Sequence, residues 1–372
     1  MQTSRKRGRS AHYGRRRRSS LLTSALTFVA ALIAVAAVVA SAVGLSSLVS
    51  GSSAASGKPA PAAAIHGAKD LSRASERPDS TKSGSQGRGH VFHRREVGGR
   101  RLGSSRVVVA GNAPRLPQVP ASAYVIANAK TGAVLAAKDA HGLYQPASTL
   151  KILTAITMLP RLKPDASLRP SKLAASVEPN IIGVVPGHRY KVADLFRALL
   201  MISANDAAVA IIQAAGSFSK GIALMNAEAH HLQAYDVVAK QPNGLPAPGQ
   251  VVSAYDLALI ARAALAMPAF MRYDSTRSAT FHRTKFGIVH MVNENGLLTD
   301  YRGGLGGKTG WTMTAGATYV GMARRNGVTL IVTILHAKPL TTITSAEKLL
   351  NWGFAANGKF SQVGTLVPPL SG

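Results

Sequence analysis

The chain has 372 residues, no cysteine and a formal net charge of +28. The absence of cysteine excludes disulfides, thiolate metal sites and a cysteine nucleophile. With 46% hydrophobic but only 5% aromatic residues, the core must rest on Ala, Val, Leu and Ile. The charge is uneven: residues 1–115 hold 20 Lys and Arg against 4 Asp and Glu, and the remainder holds 24 against 12. Such a balance implies a partner with an anionic surface.

Residues 5–18 carry eight Lys and Arg and end in four consecutive arginines, Arg15 to Arg18. An uncharged run follows from Ser19 to Gly57, densest in apolar residues from Leu21 to Val49. About 20 apolar residues cross the hydrocarbon core of a bilayer. No polar stripe interrupts the run, as a soluble surface helix would require. It also exceeds the roughly 7–15 apolar residues of a cleavable signal. Small residues around Ala40-Ser41-Ala42 and Ala54-Ala55-Ser56 leave cleavage open. The expectation is a basic cytoplasmic arm at 1–20, a single-pass transmembrane signal anchor at 21–50, and everything beyond it outside the cytoplasm. The arm then sets orientation and meets anionic lipid headgroups, so nucleic acid is not an expected partner. Residues 51–115 are rich in Gly, Ser, Ala, Pro and Arg with no sustained period, and read as a disordered basic linker. His90 and His93 lack further ligands nearby and read as solvated linker histidines; no metal is expected.

From residue 116 to 372 the pattern is that of one folded domain. Ala123 to Asn128 and Ala133 to Ala137 read as a hairpin, with Gly132 suited to its turn. Ser148 to Leu159, Val192 to Met201, Asn205 to Ala215, Tyr255 to Ala266 and Ser345 to Phe354 read as helices. Ala317 to Ala323 and Val328 to Leu335 read as strands paired across Arg324-Arg325-Asn326-Gly327. Strands at both ends with helices between predict an α/β or α+β enzyme, a sheet flanked by helices.

Three short motifs carry the chemistry. In Ser148-Thr149-Leu150-Lys151 the first and last residues share a helix face, so the lysine can take the serine's proton, provided that burial or other cations lower its pKa. Alone, the pattern is equally that of a helix cap with an exposed lysine. Ser203-Ala204-Asn205, between two helices, offers a second hydroxyl and an amide for proton relay or substrate holding, although both residue types are also good helix caps. Lys308-Thr309-Gly310 follows a glycine-rich run into a strand; a lysine and a hydroxyl there can bind a carboxylate, and Gly310 leaves room for a substrate backbone. A second Lys-Thr-Gly, at Lys130-Thr131-Gly132, precedes the serine and reads as the hairpin turn.

In this order the motifs resemble those of the penicillin-binding proteins and serine β-lactamases. The flanks are closest to the D-alanyl-D-alanine carboxypeptidases: Gln145 to Ala155, Met201 to Ala210, Asn243 to Pro246, Ser253 to Arg262, and Gly307 to Thr312 followed by Ala315 to Ala317. The resemblance runs from about Val119 to Phe354. It implies a β-lactamase/transpeptidase-like fold, an antiparallel sheet flanked by helices with a helical subdomain. It implies a cofactor-free serine peptidase that removes the terminal D-alanine of peptidoglycan stem pentapeptides and is acylated by β-lactam antibiotics. Carried over, Ser148 is the nucleophile and Lys151 its base. Ser203 and Asn205 assist proton transfer and hold substrate, Lys308 and Thr309 bind the terminal carboxylate, Gly310 lies along the substrate, and the N–H groups of Ser148 and Trp311 form an oxyanion hole. Ala204 stands where the family often has glycine. A C-terminal β-rich domain is not expected, since few residues follow Phe354.

A β-lactamase of the same fold would need a deacylating glutamate, usually with Asn three residues on; Glu228 and Glu294 have His231 and Leu297 there. A D,D-endopeptidase or transpeptidase shares the same acyl-enzyme and stays open. From another class comes an inactive, anchored wall-binding protein, which intact motifs disfavour.

Overall fold

The computed structural model describes residues 97–283 and 287–371. The elements, in chain order, are β1 (Val107–Val109), β2 (Ala121–Asn128), β3 (Ala133–Lys138), a 3₁₀ turn (Ala147–Leu150) running into α1 (Lys151–Met158), β4 (Ser167–Leu168), α2 (Lys172–Ala175), β5 (Tyr190–Lys191), α3 (Val192–Met201), α4 (Asn205–Gln213), α5 (Phe218–His231), α6 (Ala254–Leu265), α7 (Pro268–Asp274), β6 (Ser278–Arg283), β7 (Gly287–Val292), α8 (Gly296–Asp300), β8 (Gly304–Thr312), β9 (Gly316–Arg325), β10 (Val328–Ala337), α9 (Thr342–Ala356) and β11 (Gly364–Thr365).

The main sheet is antiparallel and ordered β1-β3-β2-β10-β9-β8, with β11 also pairing β3. Strand side chains alternate between faces, and both faces are covered. Val125, Ala127, Val320 and Ile331 pack toward α1, α4 and α6 in one core. Tyr124, Ile126, Leu330 and Val332 pack against Leu349 and Leu350 of α9 in another. Coverage on both sides explains why β2 and β10 read as apolar runs and are buried almost throughout. Helices α1 and α4 form the centre of the helical layer. Every residue of α1 and all but the last of α4 are buried, as their apolar character around the full circumference requires. The sheet with helices on both faces and helices between its strands fulfils the expected architecture.

The predicted hairpin is β2–β3. Asn128 Oδ1 accepts from Lys130 N (2.9 Å) and Thr131 N (3.1 Å), and Gly132 takes φ 78°, a left-handed conformation that glycine adopts without strain. Lys130-Thr131-Gly132 is thus a surface turn. The predicted pair β9–β10 is also present. Helix α5, capped by Ser217 Oγ on Lys220 N at 3.1 Å, and the β6–β7 hairpin were not among the expected elements.

One boundary differs from expectation. The stretch expected to be linker up to residue 115 is ordered from Val97: β1 pairs with β3 and Leu102 is fully buried. Buried His141 holds this segment, its Nε2 donating to the Val97 carbonyl (3.0 Å) and its Nδ1 meeting Asp236 Oδ2 (2.8 Å). The composition of residues 97–115 is linker-like; their order comes from distant partners that composition does not register. The basic arm, the candidate span and His90 and His93 lie outside the described residues. Among the described residues no single helix is long and apolar enough to cross a membrane.

Candidate active site

The 3₁₀ turn into α1 places Ser148 and Lys151 one above the other, with Lys151 Nζ 2.8 Å from Ser148 Oγ. Ala147, just before the serine, is held at φ 46°, and Ser203 at φ 61°. Left-handed backbone at non-glycine residues costs energy and clusters at functional sites. The Pro146 carbonyl is fixed by Thr149 Oγ1 at 2.6 Å and by Thr318 Oγ1 of β9 at 2.9 Å, which ties the nucleophile segment to the sheet.

The surroundings of Lys151 define its protonation state. It is fully buried. Asn205 Oδ1 at 2.7 Å and the Asn243 carbonyl at 2.8 Å are pure acceptors. The Asn205 amide is oriented by Nδ2, which donates to the Glu178 carbonyl at 2.8 Å. Two N–H bonds go to these two oxygens. A neutral amine then has one lone pair left, directed at the hydroxyls of Ser148 and, at 3.2 Å, Ser203. Burial pushes the Lys151 ammonium well below its ordinary range, and the positive charge of Lys308 pushes further; Glu294 and Asp206 oppose this. Burial and Lys308 outweigh the two carboxylates, and the net effect favours the neutral base.

The site's second wall is β8. Lys308 is buried, with Nζ donating to the Thr309 carbonyl at 2.9 Å and lying 3.4 Å from Thr309 Oγ1. Burial lowers its pKa, against the negative charges of Glu294 and Asp274. A Cβ on Gly310 would stand 2.8 Å from Ser148 N and 2.4 Å from Thr318 Oγ1, so a side chain is excluded and the β8 backbone passes directly by the nucleophile. Trp311 is 56% exposed at the end of this wall. The structure therefore brings Ser148, Lys151, Ser203, Asn205, Lys308, Thr309, Gly310 and Trp311 to one place and leaves Lys130 in its turn.

Sequence reasoning missed four supporting groups. Asn243 acts through its main-chain oxygen, brought into reach by Gly244, whose Cβ would fall 1.8 Å from the Ala147 carbonyl. Glu294, an exposed carboxylate whose N–H donates to Met201 O at 2.9 Å, exerts its charge on both lysines. Asp274 lies buried against the start of β8, its Oδ2 accepting from Gly307 N at 2.7 Å. Buried Asp206 accepts from Ile182 N (3.0 Å), Gly183 N (2.7 Å) and Val184 N (3.0 Å), fixing the loop whose Asn180 carbonyl accepts from Asn205 N at 2.7 Å. Asp206→Ala leaves these donors unsatisfied; the expected cost is about 2–4 kcal/mol, with activity falling as Asn205 loses its seat. Denaturant unfolding alongside a penicillin acylation rate checks both.

Comparison with known proteins agrees with this geometry. Residues 110–339 match the model of the family described as Peptidase_S11, D-alanyl-D-alanine carboxypeptidase. D-alanyl-D-alanine carboxypeptidase DacB2 of Mycobacterium tuberculosis is 36% identical over 69% of this chain and 89% of its own. DacD of Salmonella typhimurium is 35% identical over 65% of this chain and 64% of its own. Among solved structures, a D-alanyl-D-alanine carboxypeptidase from M. tuberculosis superposes with a TM-score of 0.66 at 34% identity, covering 71% of this chain and all of that one. A variant of a Streptomyces DD-transpeptidase gives 0.61 at 28% identity, covering 64% and 99%. With a buried lysine set against a serine, and a family match over more than half of its length, the chain belongs to the D-alanyl-D-alanine carboxypeptidase family and is a serine hydrolase of that activity.

Proposed function

We propose that the carboxypeptidase reaction runs through an acyl-enzyme on Ser148, with the terminal D-Ala-D-Ala of a peptidoglycan stem peptide as substrate. The observation that carries this is the four-oxygen environment of Lys151 Nζ, which leaves one lone pair facing Ser148. Neutral Lys151 takes the hydroxyl proton as Ser148 Oγ attacks the penultimate carbonyl. Backbone N–H groups of Ser148 and Trp311 receive the developing oxyanion, which in other acyl-transfer enzymes contributes roughly 3–4 kcal/mol per donor. Ser203 passes the proton to the departing D-alanine amine, Asn205 holds Lys151 and the substrate, and Lys308 and Thr309 take the terminal carboxylate. Water then attacks the ester, with the proton returning to Ser148 by the same route. A β-lactam follows the first half of this path and stays bound.

Transfer of the acyl group to an amine is a second reading, favoured by the likeness to a DD-transpeptidase. Mass spectrometry of muropeptides before and after incubation separates the two: loss of one alanine marks hydrolysis, and cross-linked dimers mark transfer. The two Lys-Thr-Gly copies supply a sharper check on the residues. Lys130→Ala is expected to leave kcat/KM within about twofold, and Lys308→Ala to lower it about 100-fold by removing the carboxylate's partner. Equal losses in both at equal stability would refute the assignment.

The uncharged run after Arg18 and its basic flank support a membrane-anchored protein with this domain outside the cytoplasm. Fractionation with N-terminal sequencing tests the anchor, and recovery of a soluble form starting between about residues 41 and 57, the small-residue stretch suited to signal peptidase, would remove it.

A further inference from the structure

Beside the start of β8, at the end of α7, lies the carboxyl group of Asp274. It is fully buried. Its Oδ2 accepts from Gly307 N at 2.7 Å, one residue before Lys308. Its Oδ1 has no hydrogen-bond partner. The strand is shaped around it. Its register shifts between Gly304 and Gly306, and Gly306 and Gly307 adopt φ 154° and 137°. A Cβ on Gly306 would stand 2.1 Å from Asp274 Oδ2. Asp274 itself is seated by Asn293, whose Nδ2 donates to the Asp274 carbonyl at 3.0 Å.

A buried carboxyl with an unsatisfied oxygen costs stability, whereas an apolar residue there would leave the buried Gly307 N–H without its acceptor. A costly carboxyl tied to the residue before Lys308 points to function. Burial pushes the Asp274 carboxyl up to about 7, against the pull of the Gly307 N–H and the charge of Lys308. The charged or titratable groups facing this region are Lys308 on β8, Lys151 on α1, Glu294 ahead of α8 and Tyr319 on β9. Tyr319 stays neutral, because burial raises it well above its ordinary value. Glu294 is exposed, so water screens its effect on Lys308; Asp274 acts from within the low-dielectric interior.

We propose that Asp274 is a positioning residue of the carboxylate subsite: from the end of α7 it fixes the Gly306–Gly307 backbone that seats Lys308, and as a carboxylate it supplies the interior countercharge that keeps Lys308 cationic for an anionic substrate end. This rests on the reading of Lys308 as the carboxylate's partner. Asp274 touches no substrate and acts only through Lys308.

The test uses the full chain and two probes, an N-acylated D-Ala-D-Ala peptide with a free carboxylate and the same peptide ended as a carboxamide. Asp274→Asn keeps an acceptor oxygen for Gly307 N–H and removes the charge. In that variant the alkaline limb of kcat/KM for the carboxylate peptide, set by loss of the Lys308 charge, is expected to move about one pH unit lower, the worth of one pKa unit of interaction, so that KM near that limb rises roughly tenfold with kcat within about twofold. In the unmutated protein the carboxylate peptide shows this alkaline limb and the carboxamide peptide does not. Asn293→Ala, which loosens the seat of Asp274 and leaves Lys308 in place, is expected to move the same limb in the same direction, so it decides the matter even if Asp274→Asn fails to fold. An alkaline limb unmoved in these variants, or identical alkaline limbs for the two peptide ends, would overturn the proposal. Lys308→Gln run in parallel separates the causes. If it abolishes discrimination between the two ends while Asp274→Asn does not alter it, only the role of Asp274 falls. If Lys308→Gln leaves discrimination intact, the carboxylate subsite itself is misassigned, and the role of Asp274 falls with it.

Discussion

Ser148→Ala is expected to abolish covalent labelling by a fluorescent penicillin and to lower D-Ala-D-Ala peptide turnover by about 10⁴-fold or more, the scale seen when a nucleophile is deleted from a serine hydrolase. The fold should survive, since the half-buried hydroxyl makes no contact on which the 3₁₀ turn depends: that turn is closed by the Lys151 N–H on the carbonyls of Ser148 and Thr149. Mass spectrometry of the intact protein after penicillin treatment is the measurement. An adduct that persisted in the variant and mapped to Ser203 or another hydroxyl would sink the assignment.

Lys151→Ala is expected to slow acylation by about 10³–10⁴-fold, because a serine without its base is a poor nucleophile. Lys151→Arg should rescue nothing: a guanidinium stays charged and cannot accept the proton. The pH profile gives the sign. The active form of Lys151 is neutral and its pKa is lowered, so kcat/KM rises with pH through that value. The active form of Lys308 is charged and its pKa is lowered less, so activity falls again as it deprotonates. The result is a bell whose acid limb belongs to Lys151 and whose alkaline limb belongs to Lys308. Because the charge of Lys308 helps depress Lys151, Lys308→Gln should move the acid limb of residual acylation upward. Stopped-flow acylation across pH reads both limbs, and an acid limb unmoved by Lys308→Gln would show the two lysines to be uncoupled.

The candidate site was legible where it rests on side chains at short spacing. Ser148 and Lys151 are three residues apart, and that interval survives even though residues 147–150 wind as a 3₁₀ turn. The β2–β3 and β9–β10 pairings were legible because short apolar runs on either side of a glycine turn are local signals. What was not legible acts over distance or through the main chain. The Asn243 carbonyl reaches Lys151 across 92 residues, and a carbonyl leaves no mark in sequence. Asp274 ends a short helix that residue patterns do not distinguish from a loop, and its importance comes from three-dimensional contact with Gly307, 33 residues on. Glu294 was weighed only against a spacing rule, whereas its relevance is electrostatic. The order of residues 97–109 depends on His141 and β3, which follow them in the chain.

Strand β8 lies at the end of the sheet order, and an unpaired strand edge is a template on which a second chain can add. The proposed chemistry needs this edge open, so it cannot be covered by a helix as an idle edge could be. The strand resists self-association by other means. Four of its nine residues are glycine, a poor β-former, a register shift breaks its regularity near the start, and a buried lysine charge sits at its middle. These features also build the substrate wall, so changes that make β8 a more regular strand, such as valine at Gly307 or Lys308, would be expected to trade catalysis for aggregation.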